Sequence, residues 1–136
     1  MTPTLEILEG GKVLGIGCDL AEVERIRDTH KRNGQGFLDR VFTKAEQEYC
    51  LKQSNPYPSF AARWAAKEAV SKAFTTGIGA DVGLLTVEIG HGANGNPVAI
   101  LHGKTQELLA RFGGKEVKIS LSHTRELAMA MAAIVG

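Results

Sequence analysis

The stretch FAARWAAKEAVSKAF, residues 60–74, limits the possible folds more than any other part of the chain. Alanine has the highest helix propensity, and a helix of small residues packs closely against its neighbours. The pattern predicts a helix that begins near Ser59, a good N-cap residue, after a loop over residues 54–59. Charges on such a helix normally lie on its outer face, yet Lys67 and Glu68 stand at its centre and Lys72 follows one turn later.

The remaining patterns alternate between helix and strand. The apolar segment VLGIGCDL, residues 13–20, predicts a strand that ends at Asp19, and Thr43 with Glu46 forms a capping-box pattern at the start of a helix. Asn94-Gly95 is a strong hairpin-turn signal. The later segments predict strands LLTVEI and PVAIL, a helix KTQELLARF, a strand EVKISLSH, and a returning strand ELAMAMAAIV. The expected fold class is α+β, with an antiparallel sheet packed against helices.

Length and composition limit the classes of function. The 136 residues fit one domain, with residues 1–11 as an N-terminal arm, and the net charge of +1 gives no global field for nucleic acid or a membrane surface. No segment has the character of a signal peptide or a membrane span. Cys18 and Cys50 are too few for a disulfide framework, so we expect reduced thiols in a cytoplasmic protein.

Asp19 and Glu68 are the first candidates for chemistry. Asp19 follows the glycine-flanked strand GIGC, where backbone and ligand can approach closely, and Glu68 lies among apolar helix neighbours. Together they predict a magnesium site, because magnesium takes one or two protein carboxylates and completes its shell with water and phosphate oxygens. Two alternatives stay open: an N-cap role for Asp19, and a helix-surface ion pair between Glu68 and Lys72.

Cations surround this acidic pair in the sequence pattern. A magnesium-bridged polyphosphate would suit a site with several basic side chains and a glycine-rich loop. The candidates are Arg63, Lys67, Lys72, His123 and the loop at residues 75–79. An exposed turn histidine is the alternative for His123. The other histidines show no metal-ligand spacing, and Trp64 is expected in the core.

A local basic surface is predicted on the helix that follows Asp19. Arg25, Thr29 and Arg32 fall at i, i+4 and i+7, on one helical face. Such a patch on a nearly neutral protein steers an acidic partner. A merely solvated face is the alternative, because Glu22, Glu24 and Asp28 are interspersed.

Several motifs together resemble one enzyme family. The chain resembles holo-[acyl-carrier-protein] synthase, the short bacterial type of 4′-phosphopantetheinyl transferase. The segments that carry the resemblance are GIGCDLAEVERI, FAARWAAKEAVSKAF, TGIG, NGNP and SLSHTRELAMAMAAIV. The resemblance extends from Val13 to Val135, and it includes both acidic positions. The N-terminal arm lies outside it.

The resemblance implies a reaction, in which the phosphopantetheine arm of coenzyme A moves onto a serine of an acyl carrier protein, as in fatty acid and lipid metabolism. It implies magnesium bound by Asp19 and Glu68, and Lys72, next to Ser71, near the coenzyme A diphosphate. Arg63 and His123 match family residues that contact the nucleotide end of coenzyme A. Carrier proteins of this kind are acidic and would meet Arg25, Thr29 and Arg32, and family members are homotrimers with interfacial sites.

Two other functions stay open on the residues alone. A magnesium-dependent hydrolase of coenzyme A or another nucleotide diphosphate needs the same acids but no basic helix. A non-catalytic trimer that binds a carrier protein needs the basic helix but not both acids. Asp19, Glu68, Lys72 and the basic surface together favour the transferase.

Overall fold

A computed structural model of the protein describes residues 11–136. The elements follow the order β1 (Val13–Glu22), α1 (Val23–Asn33), α2 (Gln35–Val41), α3 (Lys44–Leu51), α4 (Tyr57–Ala73), β2 (Val87–His91), β3 (Pro97–Leu101), α5 (Gly103–Arg111), β4 (Glu116–His123) and β5 (Leu127–Val135). The predicted arm at residues 1–11 falls outside the described residues except for Gly11. No helix in residues 11–136 has the length and apolar character needed to cross a membrane.

The strands form two antiparallel groups. β1, β5 and β4 make a three-stranded sheet in that order, and β2 pairs with β3 as a hairpin. Both the α+β class and the hairpin at Asn94-Gly95 are therefore confirmed. β5 alternates buried alanines with exposed methionines, so one face of the sheet packs on the core and the other stays open.

Helix α4 starts earlier than predicted. Its N-cap is Pro56 and its first residue is Tyr57, so the prediction of a loop to residue 59 with Ser59 as N-cap is wrong. Proline is tolerated in the first helical turn, because the N–H groups there have no intrahelical partner. Pro58 therefore does not end the loop, as the sequence pattern indicated, but lies inside the helix.

Two glycines let β1 lie directly against α4. A Cβ atom placed on Gly15 would overlap the carbonyl oxygen of Ala73, and one placed on Gly17 would overlap that of Ala69. The facing residues of α4 are fully buried alanines. The glycines of the strand and the alanines of the helix thus bring the two backbones together, and this contact positions the candidate site.

Gly17→Ala is expected to lower the free energy of unfolding by about 1–3 kcal/mol, because the added methyl group must displace backbone rather than a flexible side chain. Gly36→Ala is the matched control, since nothing lies within 4 Å of its Cβ position and it is in helix α2. Alanine there should be neutral or stabilising. Urea denaturation of both variants measures the difference, and equal stabilities would contradict the close packing described for β1 and α4.

A buried ion pair joins α4 to α3 and the hairpin. The Lys67 ammonium lies 2.9 Å from Glu46 Oε1 and donates to the carbonyl oxygens of Leu84 and Val87, each at 2.6 Å. Glu46 also completes the predicted capping box with Thr43 and accepts from the N–H of Ile89 at 2.8 Å. Both side chains are fully buried, so the pair depends on these hydrogen bonds for its solvation.

Candidate active site

Asp19 and Lys72 meet where β1 crosses α4. Gly17 lies against Ala69 and Lys72, and Asp19, two residues further along the strand, points to the same side. Lys72 Nζ donates to Asp19 Oδ1 at 2.8 Å and to the carbonyl oxygen of Cys18 at 3.3 Å. β1 continues to Glu22, which is also the N-cap of α1, so the alternative of Asp19 as an N-cap is wrong.

Glu68 lies one helical turn before Lys72 and is half-buried. Burial raises the pKa of its carboxyl group, the charge of Asp19 raises that pKa further, and Lys72 opposes both effects. Asp19 and Glu68 are therefore near enough to repel each other. Lys72 forms its ion pair with Asp19, and that bond raises the pKa of its ammonium, so the predicted surface pair between Glu68 and Lys72 is not the one formed.

This donor set fits a magnesium ion. Two carboxylates supply hard oxygen ligands, and the Asp19 side chain is about 20 % exposed, so that water and phosphate oxygens have access. Within residues 11–136 no three histidine, cysteine, aspartate or glutamate side chains form a metal-binding group. Magnesium does not need such a group, because it usually binds only one or two protein carboxylates.

Ser71 contributes to the candidate site through its backbone. Its side chain is fully buried, and Oγ donates to the carbonyl oxygen of Glu68 at 2.7 Å. Its own carbonyl oxygen accepts from the N–H groups of Thr76 and Gly77, at 3.1 and 3.3 Å. Thr75 and Gly77 have positive φ angles. Ser71 therefore fixes the start of the glycine-rich loop beside Lys72.

Arg63 faces away from Asp19. Its guanidinium group lies 4.4 Å from the ring centroid of Tyr49, and Nη2 lies 3.0 Å from Nε2 of His91. The arginine donates, so this histidine nitrogen carries the lone pair, and Nδ1 donates to the carbonyl oxygen of Gly95 at 3.3 Å. Arg63 is only 4 % exposed, and within residues 11–136 its Nε has no hydrogen-bond partner. His91 was missed, since no sequence spacing links a hairpin to α4.

Two other predicted members of the cationic cluster lie elsewhere. The prediction that Lys67 lies beside the acidic pair is wrong, because Lys67 is fully buried against Glu46. His123 is exposed at the end of β4, on the same sheet face as Asp19, with β5 between the two strands. One protomer therefore gathers Asp19, Glu68 and Lys72 but does not bring Arg63 or His123 beside them.

The predicted basic face of α1 borders a groove of about 560 Å³. Arg25 and Thr29 lie on its rim, whereas Arg32 stands exposed in the last turn of the helix, outside the lining. Apolar side chains form much of the lining: Leu20, Ala21, Ile26, Phe37, Trp64 and Leu127. Trp64 is half-buried there and packs against the edge of the predicted core rather than inside it. A groove with an apolar lining and a cationic rim is suited to an amphipathic, acidic partner.

Comparison with known proteins finds relatives of this chain by sequence and by fold. A sequence profile described as the 4′-phosphopantetheinyl transferase superfamily matches residues 15–132. The holo-[acyl-carrier-protein] synthase of Chlamydia caviae is 48% identical over 117 residues, which cover 86% of this chain and 93% of the relative. The crystal structure of the synthase from Neisseria meningitidis has a TM-score of 0.84 at 32% identity, over 90% of this chain and 98% of that one.

A third relative carries a ligand. The synthase of Helicobacter pylori in complex with coenzyme A has a TM-score of 0.77 at 29% identity, over 88% of this chain and 98% of that one. Fold and sequence together define a phosphopantetheinyl transferase enzyme. Within that superfamily the chain belongs to the holo-[acyl-carrier-protein] synthase family.

Proposed function

We propose that this protein transfers the 4′-phosphopantetheine group of coenzyme A to a serine of apo acyl carrier protein, with magnesium as cofactor. The released product is adenosine 3′,5′-bisphosphate. The observation that carries the proposal is the meeting of Asp19, Glu68 and Lys72 at the β1–α4 contact, two acids and a cation at one partly exposed point. The carrier protein named in the relatives and the coenzyme A of the Helicobacter structure supply the two substrates.

Asp19 and Glu68 would hold the magnesium ion, which when bound neutralises the diphosphate of coenzyme A and polarises the phosphorus under attack. The serine oxygen bonds to that phosphorus while the bond to the bridging oxygen breaks and frees the bisphosphate. The serine proton passes to Glu68 or to a water held at the metal and ordered by one of the two acids. Lys72 offsets the charge that develops on the leaving bisphosphate, beside the loop that Ser71 fixes.

The nucleotide end of coenzyme A is assigned to Arg63 and His123. Arg63 supports this assignment by its contact with His91, which in turn contacts the hairpin turn at Gly95. Because neither residue lies beside Asp19 in one protomer, we propose that the complete site forms at a subunit boundary in a homotrimer. Residues 1–136 would then act as one catalytic domain of each protomer, in the cytoplasm.

The open face of the three-stranded sheet supports the trimer. Five large apolar side chains are exposed there on neighbouring strands: Ile16, Leu20, Leu127, Met129 and Met131. An exposed apolar patch of this kind marks an interface. Sedimentation equilibrium should give three times the 14.6 kDa chain mass. Met131→Glu should give monomers, whereas a monomeric wild-type chain would contradict the trimer.

The carrier protein is proposed to dock on α1 through Arg25, Thr29 and Arg32. The Thr29 hydroxyl donates to the carbonyl oxygen of Arg25 at 2.7 Å, so in the free protein it is already bonded within the helix. The two arginines, in contrast, present their charge to solvent. Their role is therefore to steer and orient an acidic partner next to the groove.

Charge reversal at Arg25 and Arg32 together is expected to weaken carrier binding roughly tenfold at low salt, since each exposed charge pair is worth up to about 1 kcal/mol. The loss should shrink as salt screens the charges. Arg111→Glu, an exposed change on α5, is the control for net charge. Affinity measured by titration calorimetry should separate the two, and a double variant that binds like the control would remove α1 from the docking surface.

The reaction itself is tested by mass spectrometry of the carrier protein. After incubation with the enzyme, coenzyme A and magnesium, the carrier should gain the mass of one phosphopantetheine group. Loss of coenzyme A without a gain in carrier mass would instead indicate a hydrolase. Complex formation with neither change would indicate a binding protein.

A further inference from the structure

We propose that the Lys72 ammonium is a built-in competitor of the metal ion: it occupies the cation position at Asp19 when no metal is bound and must leave before a metal can bind. This inference concerns regulation of the same site and rests on the proposed function. It assigns Lys72 a second role, distinct from its action on the leaving group.

The first support is the geometry of the Lys72 head group. Nζ lies 2.8 Å from Asp19 Oδ1 and 3.3 Å from the carbonyl oxygen of Cys18. Carboxylate and carbonyl oxygens are ligands that magnesium also uses. The ammonium thus occupies space next to the oxygens that a divalent cation would need, and the two cations would compete for Asp19.

The second support is the charge balance between Asp19 and Glu68. Lys72 follows Glu68 by one helical turn on α4 and bonds to Asp19, so its ammonium is the cation that offsets repulsion between the two carboxylates. A metal ion placed there would repel the ammonium at short range. The Lys72 side chain is about half exposed, so it can swing away without disrupting the core.

The consequence is an exchange of cations. When a metal binds, Lys72 leaves Asp19 and becomes free to meet the phosphate groups of the substrate. When the metal leaves, Lys72 returns and offsets the charge of Asp19. A cation therefore lies beside Asp19 in both states, at the expense of metal affinity in the free enzyme.

The test is the affinity of the full-length protein for Mn²⁺ alone, measured by electron paramagnetic resonance without coenzyme A or carrier protein. Lys72→Met keeps the length of the side chain and removes its charge, and it should bind Mn²⁺ about tenfold more tightly than the wild type. Lys72→Arg keeps the charge and should stay near the wild-type affinity. Lys104→Met, an exposed change in α5, has the same loss of charge away from the site and should leave the affinity unchanged.

Asp19→Asn separates this inference from the proposed function. If Asp19→Asn abolishes Mn²⁺ binding but Lys72→Met binds no more tightly than the wild type, the competitor role is overturned and the metal site stands. If Asp19→Asn binds Mn²⁺ as tightly as the wild type, Asp19 is not a metal ligand. The proposed metal site then fails, and the competitor role fails with it. Equal tightening in Lys72→Met and Lys104→Met would also overturn the inference, because it would show a general charge effect.

Discussion

Glu68→Gln and Asp19→Asn are each expected to lower kcat for phosphopantetheine transfer by about 10³-fold. Charge stabilisation by a metal is worth several kcal/mol, and each ~1.4 kcal/mol is a factor of ten in rate. Both carboxylates lie at the β1–α4 contact, where their charges interact. Transfer to the carrier protein, followed by mass spectrometry at saturating substrate, measures the loss.

Stability separates a loss of chemistry from a loss of fold. Burial and Asp19 raise the pKa of Glu68, so folding disfavours its ionised form, and this cost is present at neutral pH and relieved as the pH falls. Glutamine removes the charge, and Glu68→Gln should therefore melt at or above the wild-type temperature. Glu107→Gln, exposed on α5, should keep full activity. An active Glu68→Gln enzyme would reject the metal assignment.

Lys67→Met is expected to be the most destabilising single change, at about 3–5 kcal/mol. It would leave the Glu46 carboxylate buried without its countercharge and would deprive the carbonyl oxygens of Leu84 and Val87 of their donor. The free energy of unfolding of native domains is only about 5–15 kcal/mol, so this variant would lose much of its total stability. Urea denaturation at neutral pH measures the change.

The pair can be analysed further with Glu46→Gln. The double variant Lys67→Met with Glu46→Gln should be more stable than the sum of the single losses predicts, because the two charges depend on each other. It should remain below the wild type, because the two carbonyl oxygens still lack a donor. Lys104→Met is the exposed control and should stay within about 0.5 kcal/mol of the wild type. If Lys67→Met behaves like this control, the ion pair does not hold α3 and the hairpin to α4.

Much of the fold could be predicted because the local signals agree with one another. The alternation of small and large residues in β5 matches its two faces, and the capping box at Thr43 is formed. The start of α4 was missed because Pro56 and Pro58 indicate a loop by composition, although proline fits the first helical turn. Strand β1 also runs past Asp19 to Glu22, since the pattern of glycines does not show where pairing with β5 stops.

The candidate site was predictable only in part. Asp19, Glu68 and Lys72 come together as expected, yet Lys67 does not join them. Helix α4 packs against the sheet on one side and against α1, α3 and β2 on others, so it is buried almost all round. A helical wheel cannot rank its faces in that situation. The contact of Arg63 with His91 depends on the hairpin, which only the tertiary structure brings to α4.

The most direct test of the central claim is anomalous diffraction from crystals grown with Mn²⁺ and coenzyme A. The account predicts one manganese peak within about 2.5 Å of carboxylate oxygens from both Asp19 and Glu68, with the diphosphate on its open side. A manganese ion bound to the diphosphate but to neither carboxylate would contradict it.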